Sequence, residues 1–315
     1  MNLDNVDKKI LHELDNNARI SYSEISKKIR LSKNSVINRI RLLEKEKIIL
    51  GYSTLVNINS LGYTTYDIYL KFKNTSIEIE KDIIDKAISN KEIWLVAKVE
   101  GNISLSLLIS TKTPEEFEQI WTKFYSEIKV YVEVIRIAIL LEYHHFSRKY
   151  LLNKVTDNAI VIGKRENKSF DEIDRDILKI LSINSRTSLL EISKKLDLTP
   201  KTVASRIKRL EKNDIILGYK VNLNFGKIGY TYYKIMLTLN DLSIKNRLYN
   251  YIKLDKNVVY YDKFIGGTDF EFDLEIESFE KFLQFIDLLK QSFGKYITTY
   301  QYLNPTIIYK SQYFV

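Results

Sequence analysis

Cysteine is absent from this sequence of 315 residues, and its absence excludes several kinds of site. Without a thiol the chain has no disulfides, zinc fingers, iron–sulfur clusters or thiol catalysis. Histidine is scarce as well, since the chain has only His12, His144 and His145. The sequence shows no nucleophile–base constellation, no phosphate-binding loop and no plausible metal cluster. We therefore expect a protein that is not an enzyme and that carries no cofactor.

Long hydrophobic runs are also absent. No stretch approaches the roughly 18 consecutive apolar residues that a membrane helix needs. The first ten residues, MNLDNVDKKI, lack the apolar core of a signal peptide. Together with the missing cysteines, these features predict a cytoplasmic protein. The length of the chain suits two to four modules, and its 45% hydrophobic and 28% charged residues are ordinary for a globular protein.

Positive charge is unevenly distributed along the chain, whose formal net charge is +9. Residues 1–60, 144–169 and 170–227 each carry +4, whereas residues 61–143 carry −3 and residues 228–315 carry 0. Net charge alone is weak evidence for a polyanionic partner. Its concentration in two N-terminal blocks and the connector between them is more informative.

The chain is a tandem repeat. A shift of 167 residues lays residues 4–70 over residues 171–237 without a gap, and about thirty of these 67 positions are identical. The runs EISKK and IILGY occur in both copies. Solenoid repeats have periods of about 20–50 residues, so each copy here is a domain-sized unit.

Each copy is predicted to begin with three helices. Their N-cap candidates are Asp4, Ser21 and Ser32 in copy one and Asp171, Ser188 and Thr199 in copy two. Ser21 with Glu24, and Ser188 with Glu191, match the capping box. The spacing of apolar residues supports all three helices. Two short helices joined by a tight turn, the second one basic, are typical of a helix-turn-helix.

The rest of each copy alternates between strand and helix patterns. Residues 66–72 and 233–239 alternate apolar and polar as strands do, and helical stripes and further strand-like runs follow them. The order strand, helix, strand, strand, helix, strand is the ferredoxin-like plan. We therefore predict an α+β fold: two copies of a winged-type helix-turn-helix followed by a ferredoxin-like (βαββαβ) domain.

The outer face of the third helix in each copy carries short polar and long basic side chains. Asn and Arg are able to bond adenine and guanine bidentately, and Ser, Thr and Lys reach phosphates or base edges. A solvated helix face is the alternative, but the same face recurs in both copies behind the same turn. The predicted DNA-contacting residues are Ser32, Lys33, Asn34, Ser35, Asn38, Arg39 and Arg41, with Thr199, Lys201, Thr202, Ser205, Arg206 and Lys208. Glu44 and Glu211 are expected to form local salt bridges.

These motifs resemble the Lrp/AsnC family of prokaryotic regulators, here fused in tandem. The resemblance is carried by residues 10–44 and, more closely, 177–211, together with the IILGY strands. It implies a DNA-binding transcription regulator whose ferredoxin-like domains pair and often bind an amino acid. A Gly-x-x-Asp turn marks the effector pocket in this family. Copy two has Gly266, Gly267 and Asp269 at this turn, whereas copy one has Gly101, Asn102 and Ser104, a hydroxyl replacing the carboxylate.

The domain boundaries follow from the repeat. We predict helix-turn-helix domains at 1–60 and 170–227, ferredoxin-like ligand-binding and dimerisation domains at 61–143 and 228–315, and a basic linker at 144–169. The expected partners are double-stranded DNA, an amino acid or other small effector, and further copies of the chain. The two copies are expected to pair within one chain, and such chains to associate as a dimer.

Two other functions remain open at this point. Siroheme decarboxylases resemble this family, and they hold a tetrapyrrole with His and Arg in their sheet domains. Here His144 and His145 lie near Arg148 and Lys149, whereas His12 is expected at the surface. The other alternative is a ligand-sensing or assembly protein that binds no DNA. Such a protein is expected to have lost the polar and basic side chains of its recognition helices, and this sequence retains them.

Overall fold

The computed structural model describes residues 3–153, 159–164, 166 and 168–311. The elements of copy one are α1 (Asn5–Asn16), α2 (Tyr22–Ile29), α3 (Lys33–Lys45), β1 (Ile49–Val56), β2 (Thr64–Phe72), α4 (Ile77–Ser89), β3 (Ile93–Glu100), β4 (Leu105–Thr111), α5 (Pro114–Ile128) and β5 (Val132–Phe146). The elements that follow are β6 (Ala159–Ile162), α6 (Glu172–Ile183), α7 (Leu189–Leu196), α8 (Pro200–Lys212), β7 (Ile216–Leu223), β8 (Thr231–Leu239), α9 (Lys245–Ile252), β9 (Val258–Ile265), β10 (Phe270–Ile276), α10 (Phe279–Phe293) and β11 (Ile297–Ser311). This order confirms the predicted two-copy α+β fold. No helix in the described ranges is long and apolar enough to cross a membrane.

Side-chain caps fix where the first helices begin. The Asp4 carboxylate accepts hydrogen bonds from two backbone N–H groups at the start of α1. Ser21 and Glu24 form the predicted capping box of α2. In copy two only half of the box recurs in this form: Ser188 accepts from the backbone of Glu191, whose own carboxylate pairs with Lys195 at 3.1 Å. The sequence therefore predicted the helix starts correctly, because capping is a local interaction.

The two helix-turn-helix units, which we call the headpieces, share one core. Headpiece one consists of α1–α3 and β1, and headpiece two consists of α6–α8 and β7. Strands β1 and β7 pair antiparallel as a two-stranded sheet. Buried residues of both headpieces form a single hydrophobic cluster that includes Ile10, Leu14, Ile177 and Leu181. The tandem repeat thus pairs its two headpieces within one chain.

The ferredoxin-like domains also pair within the chain, and together they close a barrel. Each contributes four antiparallel strands in the order β3-β4-β2-β5 or β9-β10-β8-β11. The last strand of each copy has 15 residues, and its second half pairs with the other copy. Thus β5 continues onto β9, and β11 continues onto β3. This exchange leaves an interior lined by both copies.

The segment 144–169 was predicted to be a basic linker, but its described residues include regular secondary structure. Strand β5 runs through His144 and His145 to Phe146, and β6 pairs with it. Lys149, Tyr150 and Leu151 are buried in the turn that follows. Residues 154–158, 165 and 167 of the predicted linker lie outside the described residues.

Candidate functional site

Helices α3 and α8 present the predicted DNA-contacting face to solvent. Exposed positions on this face are Ser32, Lys33, Asn34, Ser35, Asn38, Arg41, Thr199, Lys201, Ser205 and Lys208, and Thr202 is half-buried. The opposite face of each helix is buried, through Val36, Ile40 and Leu43 or Val203, Ile207 and Leu210. Ser32 and Thr199 also cap their helices, accepting from the backbone N–H of Ser35 and of Thr202 at 3.1 Å. Both faces are therefore free of the protein core and lie at helix N-termini.

Arg39 and Arg206 are placed differently from the rest of this face. The Arg39 guanidinium is half-buried and donates to Asp4 and Asp7 at 2.8 Å each. Arg206 repeats the arrangement with Asp171 at 2.7 Å and Asp174 at 2.9 Å. Hydrogen bonds to these carboxylates raise the pKa of both guanidiniums. Each arginine thus ties the third helix to the start of the first helix of its headpiece. Its matched position in the two copies has a structural explanation.

Glu44 and Glu211 were predicted to form local salt bridges, but in the described part of the chain their carboxylates are bonded to tyrosine hydroxyls instead. Glu44 accepts a hydrogen bond of 2.6 Å from the Tyr52 hydroxyl, and Glu211 accepts one of 2.7 Å from Tyr219. These bonds join the end of each third helix to the strand that leaves it. Burial and the carboxylate together raise the pKa of both tyrosine hydroxyls.

A reciprocal arginine clamp joins the two headpieces, and sequence reasoning missed it. Arg19 donates from Nη1 to the carbonyl oxygens of Ser185 and Thr187 in the other headpiece. Arg186 donates in the same way to residues 18 and 20, and its guanidinium also lies 4.6 Å from the centroid of the Tyr22 ring. The two residues are 167 positions apart, so the repeat itself contained the signal. The clamp therefore holds the two headpieces to each other.

The Gly-x-x-Asp turn has a structural role in both copies. In copy two Gly266 has a φ of 81°, and the Asp269 carboxylate accepts a hydrogen bond of 2.8 Å from the backbone N–H of Leu239. In copy one the Ser104 hydroxyl accepts from the backbone N–H of Phe72, at 3.1 Å, after Gly101 at a φ of 126°. Gly267 leaves room for Glu271, because a Cβ there would lie 2.9 Å from the Glu271 carboxylate. The turn therefore anchors a strand end and reaches the barrel interior.

Inside the barrel lies a buried group of ionisable residues that we call the interior charge cluster. Its members are Asp67, Arg136, Lys234, Asp262, Glu271 and Asp273. Arg136 bridges Asp67 and Glu271, and its guanidinium lies 4.2 Å from the centroid of the Tyr69 ring. Lys234 pairs with Asp262 and with Asp273. Four carboxyl groups thus face two cations, so burial leaves an excess of acid.

The excess acid predicts an unusual pH dependence of stability. Burial raises the pKa of Asp262 to about 8. Because the unfolded carboxyl loses its proton near pH 4, the folded state holds the extra proton between about pH 4 and pH 8, and this group makes stability fall as pH rises through that range. We expect Asp262→Asn to remove this loss of stability. The difference in free energy of unfolding, variant minus natural chain, should therefore rise by about 1 kcal/mol per pH unit from pH 6 to 8.

Urea unfolding at pH 6, 7 and 8 measures this difference. The control is Asp287→Asn, which changes an exposed carboxyl on α10 and should shift stability by the same small amount at every pH. A pH-independent difference for Asp262→Asn would contradict the raised pKa.

The three histidines are all buried, including His12, which the sequence placed at the surface. His12 Nε2 lies 3.1 Å from Nδ2 of Asn16, one turn further along the same helix. His144 contacts Glu142 and the Tyr249 hydroxyl, each at 3.0 Å. Burial lowers the pKa of His144 and, more strongly, of His145. Within the described residues no group of three or more His, Asp or Glu side chains is suited to hold a metal ion.

Comparison with known proteins places this geometry in a family. The model of the AsnC-type helix-turn-helix domain matches residues 3–44 and 170–211, which contain the three helices of each headpiece. The solved structure of the siroheme decarboxylase NirDL has a TM-score of 0.62, covers 98% of this chain and 93% of its own, and is 12% identical. At that identity the likeness concerns the fold alone.

Relatives in sequence are regulators by name. The chain is 44% identical over 61 residues to the leucine-responsive regulatory protein of Haemophilus influenzae, a match of 19% of this chain and 37% of that protein. The chain spans only about two fifths of the length of several such relatives. The HTH-type transcriptional regulator Ptr1 of Methanocaldococcus jannaschii is 33% identical over 121 residues, covering 36% of this chain and 78% of Ptr1. The chain therefore belongs to the Lrp/AsnC family, as a form with two copies in tandem.

Proposed function

We propose that this protein is a sequence-specific regulator that binds double-stranded DNA through both headpieces. The observation that carries the proposal is the pairing of two exposed third helices within one chain, held by β1–β7 and by the clamp of Arg19 and Arg186. In dimeric helix-turn-helix proteins each recognition helix enters the major groove, and the half-sites lie about one helical turn or a multiple apart. Here a single chain supplies both helices.

The charge of the headpieces supports the same function. The blocks 1–60 and 170–227 each carry +4, and this sum already includes the aspartates that pair with Arg39 and Arg206. Lys33 and Lys201 lie at the N-terminal ends of α3 and α8, where backbone N–H groups favour a phosphate. We therefore assign phosphate contacts to these two lysines. Base contacts fall to Asn34, Asn38 and Arg41 in copy one, and to Thr202, Ser205 and Lys208 in copy two.

The ferredoxin-like domains, 61–143 and 228–315, are proposed to pair the copies and to sense an effector. Asp269 is the one carboxylate at the two Gly-x-x-Asp positions, and Ser104 stands in its place in copy one. An amino-acid effector with an ammonium group would therefore depend on copy two, at Gly266, Gly267 and Asp269. Gly101 and Asn102 would contribute backbone contacts only. We further propose that chains associate into a dimer of two-copy chains.

A siroheme decarboxylase activity fits the interior poorly. The cavity in the barrel has a volume of about 120 Å³, whereas pockets for drug-sized ligands occupy about 300–1,000 Å³. The charged side chains in its described lining are Asp67, Lys234, Asp262 and Asp273, and this acidic set would repel the carboxylates of a tetrapyrrole. His144 and His145 are not among the lining residues. We therefore propose a function without tetrapyrrole chemistry.

The DNA-binding proposal is tested with Lys33→Ala/Lys201→Ala. If both lysines touch phosphate, this double variant weakens binding to all sequences alike and reduces the slope of log affinity against log salt by about two. Fluorescence anisotropy with fragments selected from the source genome, at several salt concentrations, measures both effects. The matched control is Lys81→Ala/Lys123→Ala, which removes two exposed lysines from α4 and α5.

Two results would contradict the proposal. One is an unchanged salt slope in the headpiece variant, or an equal fall in the control. The other is a chain that binds no genomic fragment and instead gains absorption in the Soret region with an iron porphyrin. That second result would favour the decarboxylase alternative.

A further inference from the structure

The two copies differ in what covers the end of their long last strand. In copy one, β6 pairs with the end of β5, on the edge opposite to the one that pairs with β9. Strands β5 and β11 both have 15 residues, so their ends correspond residue by residue. Beyond Leu303, β11 pairs with β3 alone among the described strands. The edge of β11 that corresponds to the one under β6 is therefore open.

Side-chain exposure shows the same difference. His144, at the end of β5, is buried, whereas its counterpart Tyr309 on β11 is 38% exposed. Ile307 and Ile308 are exposed too, the latter at 52%. An exposed apolar strand end with unpaired backbone N–H and C=O groups is a template for another strand. The end of β11 has this character.

The headpieces show what β6 does at its other side. A Cβ at Gly218 of β7 would lie 2.8 Å from the Ile160 side chain of β6, so glycine makes room for that isoleucine. Its counterpart is Gly51 of β1, where the nearest described atom to such a Cβ belongs to Asn222, at 3.7 Å. Leu50 beside it is exposed. Because β6 contacts both the end of β5 and Gly218, the corresponding space is bounded by the end of β11 and Gly51. We call this space, between residues 307–311 and residues 50–51, the open slot.

The slot also opens into the barrel. In copy one, Ile162 of β6 lines a space of only about 10 Å³, together with Ile58, Thr65, Leu140 and Tyr143. The counterparts of these last four residues are Phe225, Tyr232, Pro305 and Ile308. All four line the barrel cavity of about 120 Å³. No described residue of copy two takes the place of Ile162, so an aliphatic side chain from outside has room to enter there.

We propose that the open slot binds an extended segment of a partner protein, as an additional strand beside the end of β11. In this mode of recognition, backbone hydrogen bonds give affinity and alternate side chains give specificity. Strand β6 shows the chemistry that fits. Ile160 and Ile162 pack against the chain, whereas Val161 between them is exposed. The partner segment therefore carries β-branched apolar residues at two alternating positions, with few constraints on the residue between them.

A second copy of the chain fits this slot less well. It has two strands of this chemistry, but β6 is already paired with β5. Its β11 is the wall of its own slot and is paired with β3. Neither strand is available to enter the slot of another chain without leaving its own sheet. A separate protein is the occupant that the geometry favours.

The test is fluorescence anisotropy of the full chain with a labelled peptide of residues 157–164, DNAIVIGK, which contains the β6 sequence. We expect saturable binding of one peptide per chain. Ile160→Asp or Ile162→Asp in the peptide should weaken binding by at least about tenfold, because each places a charge against an apolar wall. Val161→Thr in the peptide is the matched control and should leave the affinity unchanged.

Variants of the protein locate the site. Ile308→Asp and Leu50→Asp alter exposed side chains on opposite walls of the slot, so neither disturbs a core. Each should weaken binding of the natural peptide by at least about tenfold, whereas Ile77→Asp, an exposed position on α4, should not. Peptide binding should also slow amide hydrogen exchange within residues 307–311.

Three results would overturn the proposal. The first is a natural chain that does not bind the peptide. The second is binding that none of the slot variants weakens, because the peptide would then lie elsewhere or replace β6 on β5. The third is self-association of the chain, seen by light scattering, that Ile308→Asp and Leu50→Asp both abolish, since the occupant would then be a second copy. Because no DNA is present, none of these results depends on the proposed regulatory function.

Discussion

Replacing Arg148 with methionine is expected to lower the free energy of unfolding by about 3–5 kcal/mol. Arg148 is 7% exposed and lies just after the end of β5. Its Nη1 donates to Asp15 at 2.7 Å, and its Nε and Nη2 donate to Glu275 at 2.8 and 2.9 Å. Methionine has a similar length and no charge. It would leave two buried carboxylates without this partner.

The cost is large because of where the two carboxylates lie. Asp15 lies in the last turn of α1 in headpiece one, and Glu275 belongs to β10 of the copy-two barrel strands. Burial alone would raise the pKa of Asp15, but Lys220 and Arg148 hold the pKa below its usual value. The folded state thus favours the ionised form of Asp15. The stability that this carboxylate contributes is lost as pH falls through its lowered pKa. Arg148 therefore couples a headpiece to the barrel.

Urea denaturation at neutral pH compares Arg148→Met with a matched control. Arg175→Met removes an ion pair whose partner, Glu172, is 82% exposed, and we expect it to change stability by less than about 1 kcal/mol. If Arg148→Met costs no more than this control, the buried arginine does not hold headpiece and barrel together. The repeat shows that this buried charge pair is specific to one side of the molecule. The residue of copy two that corresponds to Asp15 is Ser182, and the residue of copy one that corresponds to Lys220 is Ser53.

Local features of the sequence predicted the headpieces well. Caps at Asp4 and Ser21, the buried stripe of α3 and the repeat of 167 residues depend on near neighbours or on direct identity between the copies. The strand and helix order of the ferredoxin-like domains followed from periodicity in the same way. These patterns indicate which face of each helix or strand is buried, and this information was sufficient to predict the fold.

The barrel interior could not be predicted, because its contacts join residues far apart in the chain. Arg136 and Glu271 are separated by 135 positions, and their contact depends on how β5 exchanges between the two copies. One signal was available: Asp67 and Lys234 occupy the same position of the repeat with opposite charge. The roles of Arg39 and Arg206 were obscured for a related reason. The sequence alone does not distinguish a basic side chain that binds a phosphate from one that pairs with an aspartate of the neighbouring helix.

The difference between the two recognition faces predicts an asymmetric DNA site. Among the positions that differ are Asn34, Ser35, Asn38 and Arg41 in α3 and the equivalent Lys201, Thr202, Ser205 and Lys208 in α8. If these faces read bases, each headpiece prefers its own half-site, and the best site for the chain is an imperfect palindrome. Because α3 and α8 share their buried residues and both begin with a hydroxyl cap, the exposed face is open to exchange without disturbing the core.

Giving α8 the face of α3 should convert this preference into a symmetric one. The variant is Lys201→Asn/Thr202→Ser/Ser205→Asn/Lys208→Arg, which leaves copy one untouched and retains the hydroxyl that pairs with Thr199. We expect it to prefer a perfect palindrome of the copy-one half-site over the site of the natural chain by about 1–3 kcal/mol for each base pair that differs. Selection from a random duplex library, followed by footprinting, measures the preference of both proteins. The natural chain is the control, and it should show the reverse order. If both proteins select the same site, or if the natural chain already selects a perfect palindrome, these residues do not specify sequence.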